Sequence, residues 1–128
     1  MTGIGGFFFR ARDATALRQW YTEHLGVDPS PTSYTERAWW QEGGPTVFEP
    51  FSVDGDFFSA GRSWMINFRV RDLDAIVEQL RAAGTEVEID PELYPNGRFA
   101  TTSDPEGNPI QLWEPTSDAL ERTPDSQT

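Results

Sequence analysis

The composition of the chain limits its chemistry before any motif is considered. Its 128 residues, 37% of them hydrophobic, are enough for one domain. There is no cysteine and all ten basic residues are arginine, so thiolate catalysis, cysteine-ligated metals and lysine Schiff bases are excluded. A net charge of -11 at pH 7 disfavours nucleic acid and anionic membranes as partners, and it favours neutral or cationic small molecules.

The chain also lacks the sequence features of a membrane-spanning or secreted protein. No apolar run approaches the roughly 20 residues that a bilayer span requires. Residues 1–13 have neither a basic region nor a small-residue cleavage site. We therefore expect a cytoplasmic protein.

The first half of the chain begins with a strand and a helix. Residues 4–12 are typical of a strand, Asp13 stands where a helix N-cap would stand, and Gly26 is a C-terminal stop. Between them, apolar residues recur at helical spacing: Leu17, Trp20, Tyr21 and Leu25. After a loop rich in proline and serine, residues 38–41 and 46–51 predict two further strands.

The second half repeats this order. Alternating apolar residues predict a strand over 64–71, Asp72 caps the helix that follows, and Gly84 ends it. Three more strands are predicted over 85–89, 98–102 and 109–113. Residues 116–128 have little apolar content and are predicted to be a flexible tail.

Short motifs recur between the two halves. Arg-Ala-Arg-Asp at 10–13 matches Arg-Val-Arg-Asp at 69–72, and Phe-Glu-Pro at 48–50 matches Trp-Glu-Pro at 113–115. This repeat predicts an α+β domain over 1–115, built from two βαβββ modules at about 4–51 and 64–115. Together the modules would form an eight-stranded, mainly antiparallel sheet around a cleft. Whether they pair within one chain or across a dimer is left open.

These motifs resemble the vicinal oxygen chelate superfamily, which includes glyoxalase I, bleomycin-resistance proteins and extradiol dioxygenases. Three segments carry the resemblance: 9–13 with Trp20-Tyr21 and Leu25-Gly26, 68–74 with Gly84, and 103–115. The third, which contains Asp-Pro-Glu-Gly-Asn, is the most specific. The resemblance implies the glyoxalase-like fold, but the superfamily hosts many chemistries on that scaffold.

The resemblance also identifies the positions where metal-dependent members hold their ligands. Here those positions are Gly6, Thr46, Met65 and Gln111. They contain no carboxylate and no imidazole, so we expect no bound metal and no cofactor. Glu49 and Glu114 are each three residues from a ligand position and are expected to point to the opposite side of their strands. His24 is interpreted as a surface residue near a helix end.

Strand alternation from these positions assigns the predicted ligand-binding cleft. Aromatic rings in it would stack on a flat ligand, while amides and guanidinium groups would fix its orientation. Glyoxalase-like relatives use the position equivalent to Arg10 for a substrate acid group. The cleft residues are Phe8, Arg10, Phe48, Met65, Asn67, Arg69, Gln111, Trp113 and one of Trp39 and Trp40. Alternation does not decide between the two tryptophans, and the aromatic residues could instead fill a closed interior or a dimer seam.

No catalytic constellation can be assigned from this inventory. The sequence favours a metal-independent small-molecule binding protein of the bleomycin-resistance type, which would sequester an aromatic drug or metabolite. The alternative is a glyoxalase-like lyase, isomerase or dioxygenase with non-standard metal or catalytic residues. A homodimer is expected, because open sheets with this much aromatic surface are poorly solvated.

Overall fold

The computed structural model describes residues 1–29, 33–36, 38–55, 58 and 61–121. Within it the chain separates into two compact units, residues 1–39 and residues 40–128. The first unit contains one helix, and the second contains the sheet with the other two helices.

The first unit is organised around helix α1, Ala14–Leu25. The Asp13 side chain accepts a hydrogen bond from the Ala16 amide at 3.1 Å, and Gly26 ends the helix in the left-handed conformation with φ of 71°. Leu17 and Tyr21 are buried, and the Phe9 ring meets Tyr21 edge-on at a centroid distance of 6.4 Å. The helix predicted between Asp13 and Gly26 is confirmed.

The strands predicted for the first half are not formed in this structure. The described residues within 4–12 and 38–51 belong to no strand, and the predicted loop includes residues 30–32, which lie outside the described part of the chain. A strand needs a partner edge for its backbone groups as well as a suitable residue pattern, and no ladder forms at these segments here. The sheet therefore has four strands among the described residues, and the eight-stranded arrangement stays a prediction.

The second unit forms the predicted strand–helix–three-strand order. Its strands are β1 (Ile66–Arg69), β2 (Glu88–Ile89), β3 (Gly97–Ser103) and β4 (Pro109–Pro115), with helix α2 (Leu73–Ala82) between β1 and β2. The spatial order is β1-β4-β3-β2. β1 runs parallel to β4, and the other two pairings are antiparallel.

Helix α2 covers one face of this sheet and packs on β3 and β4. Its buried side chains are Leu73, Val77 and Leu80; the strands contribute Ala100, Ile110 and Leu112, which are almost completely buried. Two carboxylates satisfy the first amides of the helix: Asp72 accepts from Ala75 N at 3.0 Å and Glu114 accepts from Leu73 N at 2.8 Å. Glu114 therefore points to the helix side of β4, as its spacing from Gln111 predicts.

The predicted tail begins with a short helix, α3, at Ser117–Leu120. Residues 122–128 lie outside the described chain, so flexibility of the tail stays a prediction. None of the helices in the described ranges is long and apolar enough to cross a membrane.

Candidate functional site

The face of the sheet opposite α2 carries two rows of side chains, set by the register of the strands. Asn67 lies beside Gln111, Gln111 beside Thr101, and Thr101 beside Glu88. We call these four residues the polar row. The adjacent row consists of Arg69, Trp113 and Phe99, which we call the aromatic row. The structure thus places four of the predicted cleft residues, Asn67, Arg69, Gln111 and Trp113, on one face.

The polar row begins with a pair of amides, Asn67 and Gln111. Asn67 Nδ2 donates to Gln111 Oε1 at 2.7 Å, across the parallel β1–β4 pair. Asn67, Thr101 and Glu88 are exposed and Gln111 is half-buried, so this row faces solvent. Sequence reasoning missed Thr101 because it predicted the strand over 98–102 without assigning its faces.

In the aromatic row, contacts with neighbouring residues cover the Trp113 side chain. Trp113 is only 5% exposed, and its indole ring stacks on Phe99 with a centroid distance of 6.1 Å and an angle of 3°. The indole Nε1 donates to Asn96 O at 2.9 Å. Tyr94 meets the Phe99 ring edge-on at 5.6 Å. Trp113 therefore packs as a buried ring in this unit, and its contact with a ligand stays a prediction.

A tight hairpin turn over residues 94–97 holds Trp113 in place. Gly97 has φ of 140°, and a Cβ built there would lie 2.3 Å from Glu114 O and 2.7 Å from Trp113 Nε1. Before the turn, Tyr94 OH donates to Asp90 Oδ2 at 2.8 Å. The Glu92 amide, followed by the Tyr94 hydroxyl, lowers the pKa of Asp90, and the Asp90 carboxylate raises the pKa of Tyr94. Tyr94 is thus held as a neutral donor, which does not favour it as a general base.

Arg69 turns its guanidinium toward the backbone of residues 42–46. Nη1 donates to Pro45 O at 2.7 Å and lies 3.4 Å from Thr46 Oγ1, and Nη2 donates to Glu42 O at 2.9 Å. Gly44 permits this approach, since an added Cβ would lie 2.6 Å from Arg69 Nε. Arg71 pairs with the Glu42 carboxylate in the same region. Arg69 therefore holds this segment by its carbonyls, and its predicted role in a ligand-binding cleft stays a prediction.

The other predicted cleft residues of the second unit differ in exposure. Trp40 is 85% exposed and Phe48 is 86% exposed, whereas Met65 is half-buried. In the first unit, Phe8 and Arg10 are exposed, and Trp39 is much less exposed than Trp40. His24 is half-buried beside the Trp20 ring, at a centroid distance of 5.4 Å, so its interpretation as a simple surface residue is incomplete.

Comparison with known proteins identifies the family. A sequence profile of the Glyoxalase-like domain family matches residues 6–113. The chain belongs to this family. That assignment confirms the resemblance inferred from the repeated motifs. No match was found among curated proteins.

The solved structures similar to this glyoxalase-like domain include the following three. TnmS3, an antibiotic binding protein from Streptomyces sp. CB03234, has a TM-score of 0.59 and 22% identity, covering 91% of this chain and 98% of its own. A putative glyoxalase family protein from Bacillus anthracis has a TM-score of 0.49 and 26% identity, covering 80% and 84%. A glyoxalase/bleomycin resistance protein/dioxygenase superfamily member from Sphaerobacter thermophilus has a TM-score of 0.48 and 22% identity, covering 81% and 90%. The likeness to TnmS3 supports the glyoxalase-like fold.

The positions of the family's metal ligands do not fit a divalent cation in this glyoxalase-like domain. Gly6 has no side-chain donor and Met65 offers only a thioether. Gln111 Oε1 already accepts from Asn67, and Thr46 Oγ1 donates to Gly44 O at 3.3 Å. In the described ranges, no three His, Asp or Glu residues come together in a group able to hold a metal ion. The donors present are neutral and few, whereas divalent cations require several carboxylate or imidazole ligands.

Proposed function

We propose that this glyoxalase-like domain binds a small aromatic molecule without a metal ion and sequesters it as a drug or metabolite. The observation that carries the proposal is the exposure of two aromatic rings, Trp40 and Phe48, at 85% and 86%. Large aromatic rings with this solvent exposure can stack on a flat ligand. TnmS3, which shares the fold, is an antibiotic binding protein. A shared fold is compatible with ligand sequestration by this chain, but the function depends on the residues of the site itself.

Charge favours a cationic or neutral ligand over an anionic one. The net charge of -11 raises the local concentration of cations. A ligand cation can also be attracted to the faces of Trp40 and Phe48. The one arginine in the two rows described above, Arg69, donates to the carbonyls of Pro45 and Glu42, whereas Glu88 presents a carboxylate at the end of the polar row. These contacts therefore disfavour an aliphatic or aromatic acid as the ligand.

The metal-independent character of the proposed site follows from the chemistry of its donors. Thr46, Met65 and Gln111 supply no anionic oxygen and no imidazole. A protein with such a site would bind its ligand by stacking and hydrogen bonding, and the free energy of binding would not depend on a chelatable ion.

We also propose that the eight-stranded arrangement is completed in a homodimer. The repeated motifs predict strands over 4–12, 38–41 and 46–51, and these segments present exposed apolar side chains in the single chain besides Trp40 and Phe48, among them Ile4 and Val47. Strand pairing with a second copy would cover such side chains and satisfy the backbone groups between them. Sedimentation should give a dimer at about 10–50 μM protein, a range chosen as a rough benchmark for self-association. A monomer in that range would contradict the dimer.

A thermal-shift screen tests the proposed ligand class. Cationic aromatic compounds should raise the melting temperature progressively with ligand concentration, because binding to the folded state alone stabilises it. Matched aromatic carboxylates and thiol conjugates should have little effect. Selective stabilisation by carboxylates or thiol conjugates would contradict the proposal and indicate an enzymatic substrate site.

Single substitutions then locate the binding surface. Trp40→Ala and Phe48→Ala should each weaken a stacked cationic ligand by about 0.5–1.5 kcal/mol. The matched control is Leu93→Ala, which also removes an exposed apolar side chain of the second unit and should leave affinity unchanged. Equal affinities for all three variants and the original protein would remove Trp40 and Phe48 from the site.

A further inference from the structure

The amide pair in the polar row has hydrogen-bonding groups that it does not use within the described chain. In the part of the chain that the structure describes, the bond from Asn67 Nδ2 to Gln111 Oε1 is the only side-chain hydrogen bond of either residue. A primary amide carries one carbonyl oxygen and one NH2 group. Asn67 Oδ1 is therefore left as an acceptor, and Gln111 Nε2 is left as a donor.

This pairing of free groups does not depend on the orientation of either amide. One N–H···O bond between two primary amides always leaves the carbonyl of the donating residue and the NH2 of the accepting residue. Turning both amides over exchanges the two residues but again leaves one acceptor and one donor. Since the residues face each other in register on adjacent strands about 4.8 Å apart, the remaining acceptor and the remaining donor belong to neighbouring side chains.

The surroundings of the pair indicate a neutral partner. Arg69, two residues along β1 on the same face, donates to Pro45 O and Glu42 O. On the other side, Thr101 contributes a neutral hydroxyl and Glu88 a carboxylate. A ligand carboxylate would bring a second acceptor against Asn67 Oδ1 and would approach a like charge at Glu88.

We propose that Asn67 and Gln111 recognise a neutral group in which an N–H stands beside a C=O, such as a lactam, a carboxamide or a urea. The ligand N–H donates to Asn67 Oδ1, and its carbonyl accepts from Gln111 Nε2. This inference rests on the proposed binding function and deepens it, because it names the polar part of the ligand, whereas Trp40 and Phe48 recognise only its aromatic part.

A matched pair of probes tests the recognition directly. The ligand 2-quinolone carries the N–H and C=O on one ring edge, and N-methyl-2-quinolone keeps the carbonyl but has no N–H. Titration of the full, 15N-labelled chain with 2-quinolone should shift the side-chain NH2 resonances of Asn67 and Gln111. The N-methyl compound should bind about 5-fold more weakly, since one hydrogen bond to the ligand is lost.

Two glutamine-to-leucine variants supply the comparison. In Gln111→Leu the donor to the ligand carbonyl is gone, so both quinolones should bind about 5-fold more weakly than to the original chain, and the preference for 2-quinolone should remain. The matched control is Gln79→Leu, at an exposed position on α2, which covers the other face of the sheet. That variant should keep the affinity of the original chain for both quinolones, and its retained spectrum also shows that loss of a glutamine amide does not by itself disturb the fold.

The outcomes separate this inference from the proposed function. Equal binding of both quinolones by the original chain, with cationic aromatic ligands still weakened by Trp40→Ala, overturns the amide recognition and leaves the binding function standing. Unchanged affinity of both quinolones in Gln111→Leu also overturns it. If neither the quinolones nor the cationic aromatic compounds bind, both proposals are wrong.

Discussion

Leu112 and Trp113 are consecutive residues of β4 that point to opposite faces of the sheet, and both are buried. Leu112 lies on the face that α2 covers. Trp113 lies on the other face, where Phe99 stacks on it and the 94–97 turn accepts its indole N–H. Only one row away, Asn67 is exposed and Gln111 half-buried. Alternation therefore decides the direction of a side chain, whereas its exposure depends on contacts made by distant residues.

This contrast divides the outer face into a closed aromatic row and an open polar row. The closed row should determine stability and the open row should determine ligand selection. Substitutions in the closed row should therefore change the free energy of unfolding, whereas substitutions in the open row should change the affinity for ligand.

The largest effect is expected from Trp113→Ala. Removal of a buried indole leaves a cavity beside Phe99 and deprives Asn96 O of one of its two donors, so the free energy of unfolding should fall by about 3–5 kcal/mol. Urea denaturation measures this change. Phe48→Ala, at an exposed ring, should stay within about 0.5 kcal/mol of the original protein. A loss below about 1 kcal/mol at Trp113 would show that the ring is not covered.

A smaller effect is expected from Gly97→Ala, at the turn that holds Trp113. The new Cβ would overlap Glu114 O and Trp113 Nε1, so we expect a loss of about 2–3 kcal/mol in the free energy of unfolding. Gly84→Ala is the matched control, because Gly84 also has a positive φ, of 90°, but an added Cβ meets nothing within 4 Å. The control should lose only about 1 kcal/mol. Equal losses would mean that the close approach at Gly97 is unimportant.

The next largest change in the free energy of unfolding is expected from Arg69→Met. This substitution removes the charged donor to Pro45 O and Glu42 O while keeping an unbranched side chain. The free energy of unfolding should fall by about 1–2 kcal/mol. Gly44→Ala displaces the same guanidinium, so the double variant should be clearly less destabilised than the sum of the two single variants. Additive losses in denaturation would contradict a shared contact. Ligand selection should be unchanged in Arg69→Met.

The smallest effect concerns the ion pair between Arg98 and Asp74, on the helix side of the sheet. Arg98 lowers the pKa of Asp74 by donating to both of its oxygens, at 3.1 and 3.0 Å. The folded state thus favours the carboxylate, and this contribution is present above the ordinary aspartate pKa of about 3.9 and is lost as the pH falls below it. Melting temperatures from pH 5 to pH 2 should fall more steeply for the original chain than for Asp74→Asn. Parallel curves would contradict the contribution of the pair.

The helices and the direction of the sheet residues could be predicted because local patterns determine them. Asp13 and Asp72 cap their helices, and Gly26 and Gly84 mark where they end, as their spacing indicates. The period of two in a strand placed Asn67 and Arg69 on one face.

Other features of the candidate site depend on pairings that no local pattern encodes. The bond between Asn67 and Gln111 joins residues 44 positions apart, and its existence depends on the register of β1 against β4. The covering of Trp113 depends on Phe99, whose strand was predicted but whose face was not assigned. The attachment of Arg69 to residues 42–46 uses backbone carbonyls, which carry no residue-specific signal. The strands expected in the first half likewise require a partner edge as well as their own residue pattern.

The most direct test of the central claim is a calorimetric titration of chelator-treated protein with a cationic aromatic ligand found in the thermal-shift screen. Because the positions Gly6, Thr46, Met65 and Gln111 supply no carboxylate and no imidazole, the proposed metal-independent site predicts the same dissociation constant before and after chelation. Loss of binding after chelation, restored by added zinc, nickel, manganese or iron, would contradict metal-independent binding by this glyoxalase-like domain.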